Sequence, residues 1–415
     1  MKLKDYENCS KIKKENFFIT LLLIFKSSQA SILAFSPITT IIFLIPLLII
    51  FYNRKLKVER LFINFSIVYF FTLIVYFISF GWIDIFLSIY IYIKFIYAYV
   101  SIKLIGFSFF KIFQKIVYYG ALISIPLFVF QLLFYDFMFD IIGIVQHNLN
   151  FLSYKNEVFA NNLFFTINGY GSSLRNSGFM WEPKGFANIL ILAIIFNLIQ
   201  TKFKLLNKKI IVYSIALLTT FSTAGYIIFF TLLPLFFTIN RTLGTKIFSI
   251  IISLITIFYI SKLDFMYEKI QYESTLFNHH EKLLNSTKTY ETESISLGRI
   301  GSLVVDYNDF TKRPFFGYGF QRSERTQSKY VKLTRVNGFS DILATYGLIG
   351  IIFLLYSYNL LFKKLLNLYN LKGKNILLLS ILVIYFASAL TSHLLWMSLL
   401  FLHLLVPKDI KYERL

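Results

Sequence analysis

The chain has almost no cysteine. Its single thiol, Cys9, excludes an intrachain disulfide and any cysteine-built metal centre. Charge is sparse too: 15% of the 415 residues are Asp, Glu, Lys or Arg, against roughly 25% in soluble globular domains. Acid is the scarcer sign, with 21 residues against 42 Lys and Arg. HExxH, GxSxG and Walker patterns are missing, which removes the common zinc-hydrolase, serine-hydrolase and nucleotide-binding signatures. "GYGF" at Gly317 has no preceding strand and reads as a turn. His279 and His280 lack a third ligand at a usable spacing, so they read as solvated, and neither metal nor cofactor is expected.

What the chain has in abundance is oil. Hydrophobic residues make up 57% and aromatic residues 19%, including 49 Phe and 28 Tyr. Apolar stretches fall at about 17–35, 37–52, 61–80, 82–100, 113–134, 184–200, 209–222, 224–239, 246–262, 339–361, 375–391 and 392–406. The expectation is all-α: one integral membrane domain over 1–415, a bundle of about twelve transmembrane helices.

The basic residues cluster between these stretches. The lysine-rich N-terminal tail, "NRKLKVER" from Asn53, Lys103 with Lys111 and Lys115, "TKFKLLNKK" from Thr201, "NRTLGTK" from Asn240, "KKLLNLYNLKGK" from Lys363 and the C-terminal tail all fall on one side if the spans alternate. The excess of Lys and Arg in cytoplasmic loops then puts both termini in the cytoplasm and explains most of the net charge of +21. Nucleic acid is not needed as a partner. "SSQA" from Ser27 resembles a signal-peptide cleavage site, but Lys26 interrupts the run before it, and an uncleaved first span is expected.

Two long segments remain outside, 135–181 and 262–338. The first ends in "SSLRNSGFMWEPKGFA" from Ser172. Gly178 and Pro183 disfavour an uninterrupted helix between Arg175 and Glu182, so a shaped re-entrant loop is expected. The charges read either as a salt bridge, Glu182 with Arg175 or Lys184, or as half of an active site. In the second segment Ile300, Leu303, Val304, Tyr307 and Phe310 recur at helical spacing, with Arg299, Ser302, Asp306 and Asp309 on the other stripe. An amphipathic helix of about four turns packed over the bundle is expected, ended by Pro314 and Gly317. Beyond it come Arg313, Arg322, Arg325 and Arg335 with Lys312, Lys329 and Lys332. Outer cations suit an anionic ligand with a lipid tail, since the guanidinium fork binds two phosphate oxygens at once. A solvated loop holding acids as well is the alternative.

Three separated motifs in this layout resemble the bacterial O-antigen and capsular polysaccharide polymerase/ligase superfamily. The first places Arg175, Gly178, Glu182 and Pro183 at a span entrance. The second is Gly298–Arg299 opening a helix that ends at Pro314, Gly317 and Gly319. The third is Asn337 followed by Gly347 and Gly350 at the start of a span. The motifs cover about 170–355. Val336 stands where ligases carry His, and "LTTFSTAGYII" lacks an Arg that ligases tend to have, which favours the polymerases.

The resemblance implies an enzyme of the bacterial plasma membrane. It would move a growing glycan from polyprenyl diphosphate to the next lipid-linked repeat unit on the outer face. Arg175 and Arg299 would stabilise the leaving diphosphate, Arg322 or Arg325 would assist, and Asn337 would bind substrate. Glu182 would accept the hydroxyl proton, with Asp306 and Asp309 as alternatives. The implied partners are the polyprenyl-diphosphate-linked oligosaccharide, membrane lipids, a chain-length regulator and a flippase. An O-antigen ligase, or a lipid or polysaccharide transporter, remains open. A transporter should show internal repeats and functional charge inside spans. No convincing repeat is visible, and Lys26, Lys94 and Asp84 are the main intramembrane charges.

Overall fold

The computed structural model describes residues 14–28, 30, 34, 36–148, 159–161, 164–168, 174–204, 206–237, 294–319, 321, 324–326, 332–335, 338–369, 371 and 394–405, with isolated positions between 244 and 275. These residues are overwhelmingly helical. An apolar medium offers backbone groups no water, and a helix satisfies them within the segment.

The first half contains α1 (Lys14–Ser28), α2 (Pro37–Asn53), α3 (Arg60–Phe80), α4 (Ile85–Ile105), α5 (Phe109–Leu133) and α6 (Tyr135–Asn148). Their ends follow from local sequence. Pro37 opens α2, where its missing N–H costs nothing. Gly81 closes α3 in the left-handed conformation, φ 74°. The Asp84 carboxylate caps α4 by accepting from Leu87 N at 2.9 Å. A single 3-10 turn at Gly106–Ser108 separates α4 from α5. A small antiparallel ribbon, β1 (Phe159–Asn161) with β2 (Thr166–Asn168), follows α6. Next come α7 (Pro183–Gln200), α8 (Lys208–Thr219) and α9 (Thr223–Phe237). A parallel ribbon pairs β3 (Ser294–Ser296) with β4 (Lys332–Thr334) and brackets α10 (Gly298–Lys312). The described chain ends with α11 (Gly338–Leu368) and α12 (Leu394–Leu399).

Among the described residues four helices are long and apolar enough to cross a membrane: Arg60–Phe80, Ile85–Leu133 with its break at Gly106, Pro183–Gln200 and Ser340–Leu368. Pro37–Asn53 is apolar but shorter. Of the twelve expected spans, these helices are what the described residues show. At 1.5 Å per residue α8 covers about 18 Å, short of a hydrocarbon core about 30 Å thick. Among its described residues the stretch 392–406 holds α12 and a 3-10 turn, and 375–391 lies outside the described residues.

α7 is the central post. Every residue from Gly185 to Ile199 is buried, as an all-round apolar helix requires. α5, α8 and α9 pack around it. Two groups of polar contacts mark the two ends of the bundle. At one end Arg54 pairs with Glu15, Lys103 with Glu59 at 2.7 Å, and Gln114 donates to Gln200 Oε1 at 2.9 Å. At the other end Tyr76, Trp82, Trp181 and α10 gather. Arg60 and Tyr76 lie near opposite ends of α3, so the end with Arg54 and Lys103 and the α10 segment lie at opposite ends of the bundle.

Candidate functional site

The segment from Arg175 to Glu182 is irregular, as Gly178 and Pro183 foreshadow. Asn176 fixes it. Its backbone N donates to Thr219 O at 3.0 Å, and its amide Nδ2 donates to Thr219 Oγ1 at 2.9 Å and Ser124 Oγ at 3.2 Å. Its Oδ1 accepts from Gly178 N at 2.9 Å, the side-chain turn that Asn forms readily. Gly178 has φ +50°, and a Cβ there would meet the Phe186 ring at 2.7 Å. Trp181 N then donates to Ser28 O at the end of α1, 2.9 Å away.

Ser124 sits within α5, nine residues before its end, so the loop is held about 13 Å below the end of that helix. Arg175 is half-buried and Glu182 is exposed. Among the described residues the two form no ion pair with each other. Arg299 lies within electrostatic reach of both Arg175 and Lys184. Burial first, and the neighbouring Arg299 second, push the Arg175 guanidinium below its ordinary value. Three cations from two distant segments thus share one space. Lys184 has no role in the sequence reading beyond a salt-bridge partner; its place at the second position of a buried span was the available signal. Glu273 meets the same group. Its Oε2 accepts from Arg299 N at 2.5 Å, and Oε1 stands 4.0 Å from Arg299 Nε. That puts a carboxylate at the N-terminus of α10, where unsatisfied N–H groups favour anions.

α10 spans the expected residues, and the face that meets the protein is largely the polar one. Ser302, Asp306 and Asp309 are buried, while Ile300, Leu303, Val304 and Tyr307 are exposed. The cause lies beyond the helix. Arg325 meets Asp306 Oδ1 at 2.8 Å and Asp341 Oδ1 at 2.6 Å. Arg335, just after β4, meets Asp309 Oδ2 at 2.9 Å and Asp306 Oδ1 at 3.2 Å. Ser340 Oγ donates to Asp306 Oδ2 at 2.6 Å. Thr326 N donates to Asp309 Oδ1 at 2.9 Å. Burial raises Asp306 above the usual carboxylate range, against the opposing pull of Ser340, Arg325 and Arg335. Burial also opposes the charge of Arg325, but Asp341, Asp306 and Asp309 outweigh it and the guanidinium is raised. The Arg325 side chain is 3% exposed, and its charge is met by protein carboxylates. Arg322 and Asn337, the other two expected substrate contacts, lie outside the described residues.

The turn after α10 docks on a break in α11. Gly347 has φ 61° and ψ −162° inside the helix. Leu348 N and Ile349 N donate to Pro314 O at 2.8 Å and Phe315 O at 3.2 Å, while Tyr318 N and Gly319 N donate to Ala344 O and Thr345 O at 2.9 and 2.7 Å. Gly317–Gly319 thus form a turn pressed, backbone to backbone, against the third motif. A Cβ at Gly347 would stand 2.4 Å from Phe315 O. Gly347→Ala is therefore expected to cost ~1–3 kcal/mol in backbone strain alone, with steric clash added. A lowered thermal midpoint of the purified protein checks this; an unchanged midpoint overturns it. Tyr76 Oη donates to Phe316 O at 2.6 Å and ties the same turn to α3. Beside it runs an apolar cleft between α3 and α11, lined by Phe65, Tyr69, Phe316, Tyr346 and Phe353 among others.

Among the described residues no group of three His, Cys, Asp or Glu is placed to hold a metal ion. Compared with protein-family models, with curated proteins and with solved structures, the chain matches none.

Proposed function

We propose that the chain is a membrane polysaccharide polymerase of the O-antigen and capsule type. It would lengthen a glycan carried on polyprenyl diphosphate at the outer face of a bacterial plasma membrane. The observation that carries this reading is the approach of Lys184 on α7 and Arg299 on α10 to Arg175, whose loop is sunk into the helical bundle. The sugar C–O bond to the carrier diphosphate breaks, and the leaving diphosphate keeps the electron pair. Cations already in place stabilise that charge where water is scarce. A hydroxyl of the incoming repeat attacks the same anomeric carbon and forms the new C–O bond. Its proton passes to Glu182, whose exposed carboxylate is not tied to Arg175.

Two further features support the reading. The exposed apolar stripe of α10 suits a helix lying in the headgroup layer, which would keep Arg299 at the level of a carrier's diphosphate. The cleft between α3 and α11 suits an isoprenoid chain. Arg325 we assign to the scaffold of α10 rather than to the substrate. The opposite, basic end of the bundle would face the cytoplasm, together with both termini.

The test is reconstitution. Purified protein in liposomes, given polyprenyl-diphosphate-linked repeat units, is expected to yield a ladder of lengthened glycans. Glu182→Gln is expected to slow it by about 10²–10⁴, the usual scale of a lost general base. No ladder from the unsubstituted protein overturns the reading; full activity of Glu182→Gln overturns the role of Glu182. A transporter is the second reading, favoured by the buried Lys26 within α1. It predicts movement of lipid-linked repeats between leaflets with no change in glycan length.

A further inference from the structure

The convergence at Arg299 leaves two charges unused. Lys26 and Lys94 belong to α1 and α4, and both lie on stretches, 16–58 and 85–105, that contain no Asp or Glu. Lys26 is 2% exposed. Its Nζ donates to Thr39 Oγ1 at 2.8 Å and Ser36 O at 3.4 Å. Lys94 Nζ stands 4.7 Å from the centroid of the Tyr90 ring and is close enough to repel Lys26. Tyr90 hydrogen-bonds with Thr40.

Ser36 and Thr39 also mark the N-terminus of α2, the positive end of a helix dipole. Two ammonium groups and a helix N-terminus therefore concentrate one sign of charge in one place, with hydroxyls of Thr39, Thr40 and Tyr90 alongside. Each source of positive potential makes the others more costly. An ionisable side chain inside a membrane span is costly and by default points to a functional site. An anion among these groups turns the repulsion into attraction.

The site has a relation to the first one. Ser28, two residues beyond Lys26, accepts from Trp181 N, and Trp181 adjoins Glu182. Lys94 lies nine residues into α4, about 13 Å below its outer end. That matches the depth at which Asn176 holds the Arg175 loop. Resting on the polymerase reading, a transfer between two carriers brings two diphosphates to the protein. The acceptor's reacting hydroxyl lies at the far end of its repeat unit, so its diphosphate must be held apart from the leaving one.

We propose that Lys26 and Lys94, with Thr39, Thr40 and Tyr90, bind the diphosphate of a second lipid carrier, the acceptor. The experiment counts bound diphosphates on the full-length protein in nanodiscs of zwitterionic phospholipid, using radiolabelled farnesyl diphosphate. Two per chain are expected. Lys26→Gln with Lys94→Gln should leave one, and Arg175→Ala with Arg299→Ala should also leave one. Neutral side chains at the two lysines remove a burial cost, so the variant should keep its thermal midpoint. A single diphosphate on the unsubstituted protein overturns the proposal, as does a lysine variant that still holds two. Phosphatidylglycerol in the discs tests the source of the phosphate: displacement of the second farnesyl diphosphate at equal concentration would assign the site to bulk lipid and also overturn it. The count needs no turnover. A failed glycan ladder with two bound diphosphates would therefore remove the polymerase reading, not this site.

Discussion

Arg175→Ala or Arg299→Ala is expected to remove long-chain polysaccharide from cells while leaving the amount of protein in the membrane unchanged. Each guanidinium is partly accessible, and neither belongs to the buried Asp306–Asp309 network. Loss of one preorganised donor to a developing negative charge slows a reaction by about 10²–10³. Arg299→Ala also relieves repulsion on Arg175 and Lys184, so its damage should fall on rate and not on folding. Gel separation of surface polysaccharide with immunoblots of the membranes reads both quantities. Normal long chains in both variants would sink the mechanism. Lys substitution tests the geometry: it keeps the charge and loses the fork, and partial recovery is expected at most.

Arg325→Ala should do the reverse, depleting the protein itself. Removing it leaves Asp306 and Asp309 with Arg335 as their remaining cation and takes away the ion pair of Asp341. Taking one partner from a buried charge network costs about 3–5 kcal/mol, a large part of a total stability of about 5–15 kcal/mol. The expected result is a fall in membrane-inserted protein and early aggregation on size exclusion. Adding Asp341→Asn and Asp306→Asn to Arg325→Met removes the stranded charge and should restore much of the level. A full level of Arg325→Ala protein with normal elution and no polymer would instead return Arg325 to the substrate.

The two arginine sets show how far the sequence could be read. The length of α10 was legible in the spacing of its apolar residues and in Pro314. Its orientation was not. Hydropathy treats Asp306 and Asp309 as costs to be kept in water, whereas Arg325 and Arg335, far along the chain, cancel those costs inside. A stripe pattern registers single residues and cannot register such pairs. The irregular loop at Gly178 and Pro183 was legible because both residues restrict the backbone locally. Its anchor, Asn176, was not, since its partners Ser124 and Thr219 lie on two other helices. The apolar stretches marked most helices correctly in place but not always in reach: α8 ends at Thr219, beside the re-entrant loop, after 12 residues. The buried lysines were visible as charges within spans, yet their pairing needed the crossing of α1, α2 and α4.

The brevity of α8 has a consequence for the lipid around it. Beside a helix of about 18 Å, a hydrocarbon core of about 30 Å is mismatched by some 12 Å. Either the leaflet dimples toward Thr219 or water descends to meet it. Both outcomes carry headgroups inward to the level of Arg175. On the polymerase reading proposed above, the thickness of the surrounding bilayer would then be a variable of the reaction, with thinner membranes bringing the carrier's diphosphate closer to Arg175.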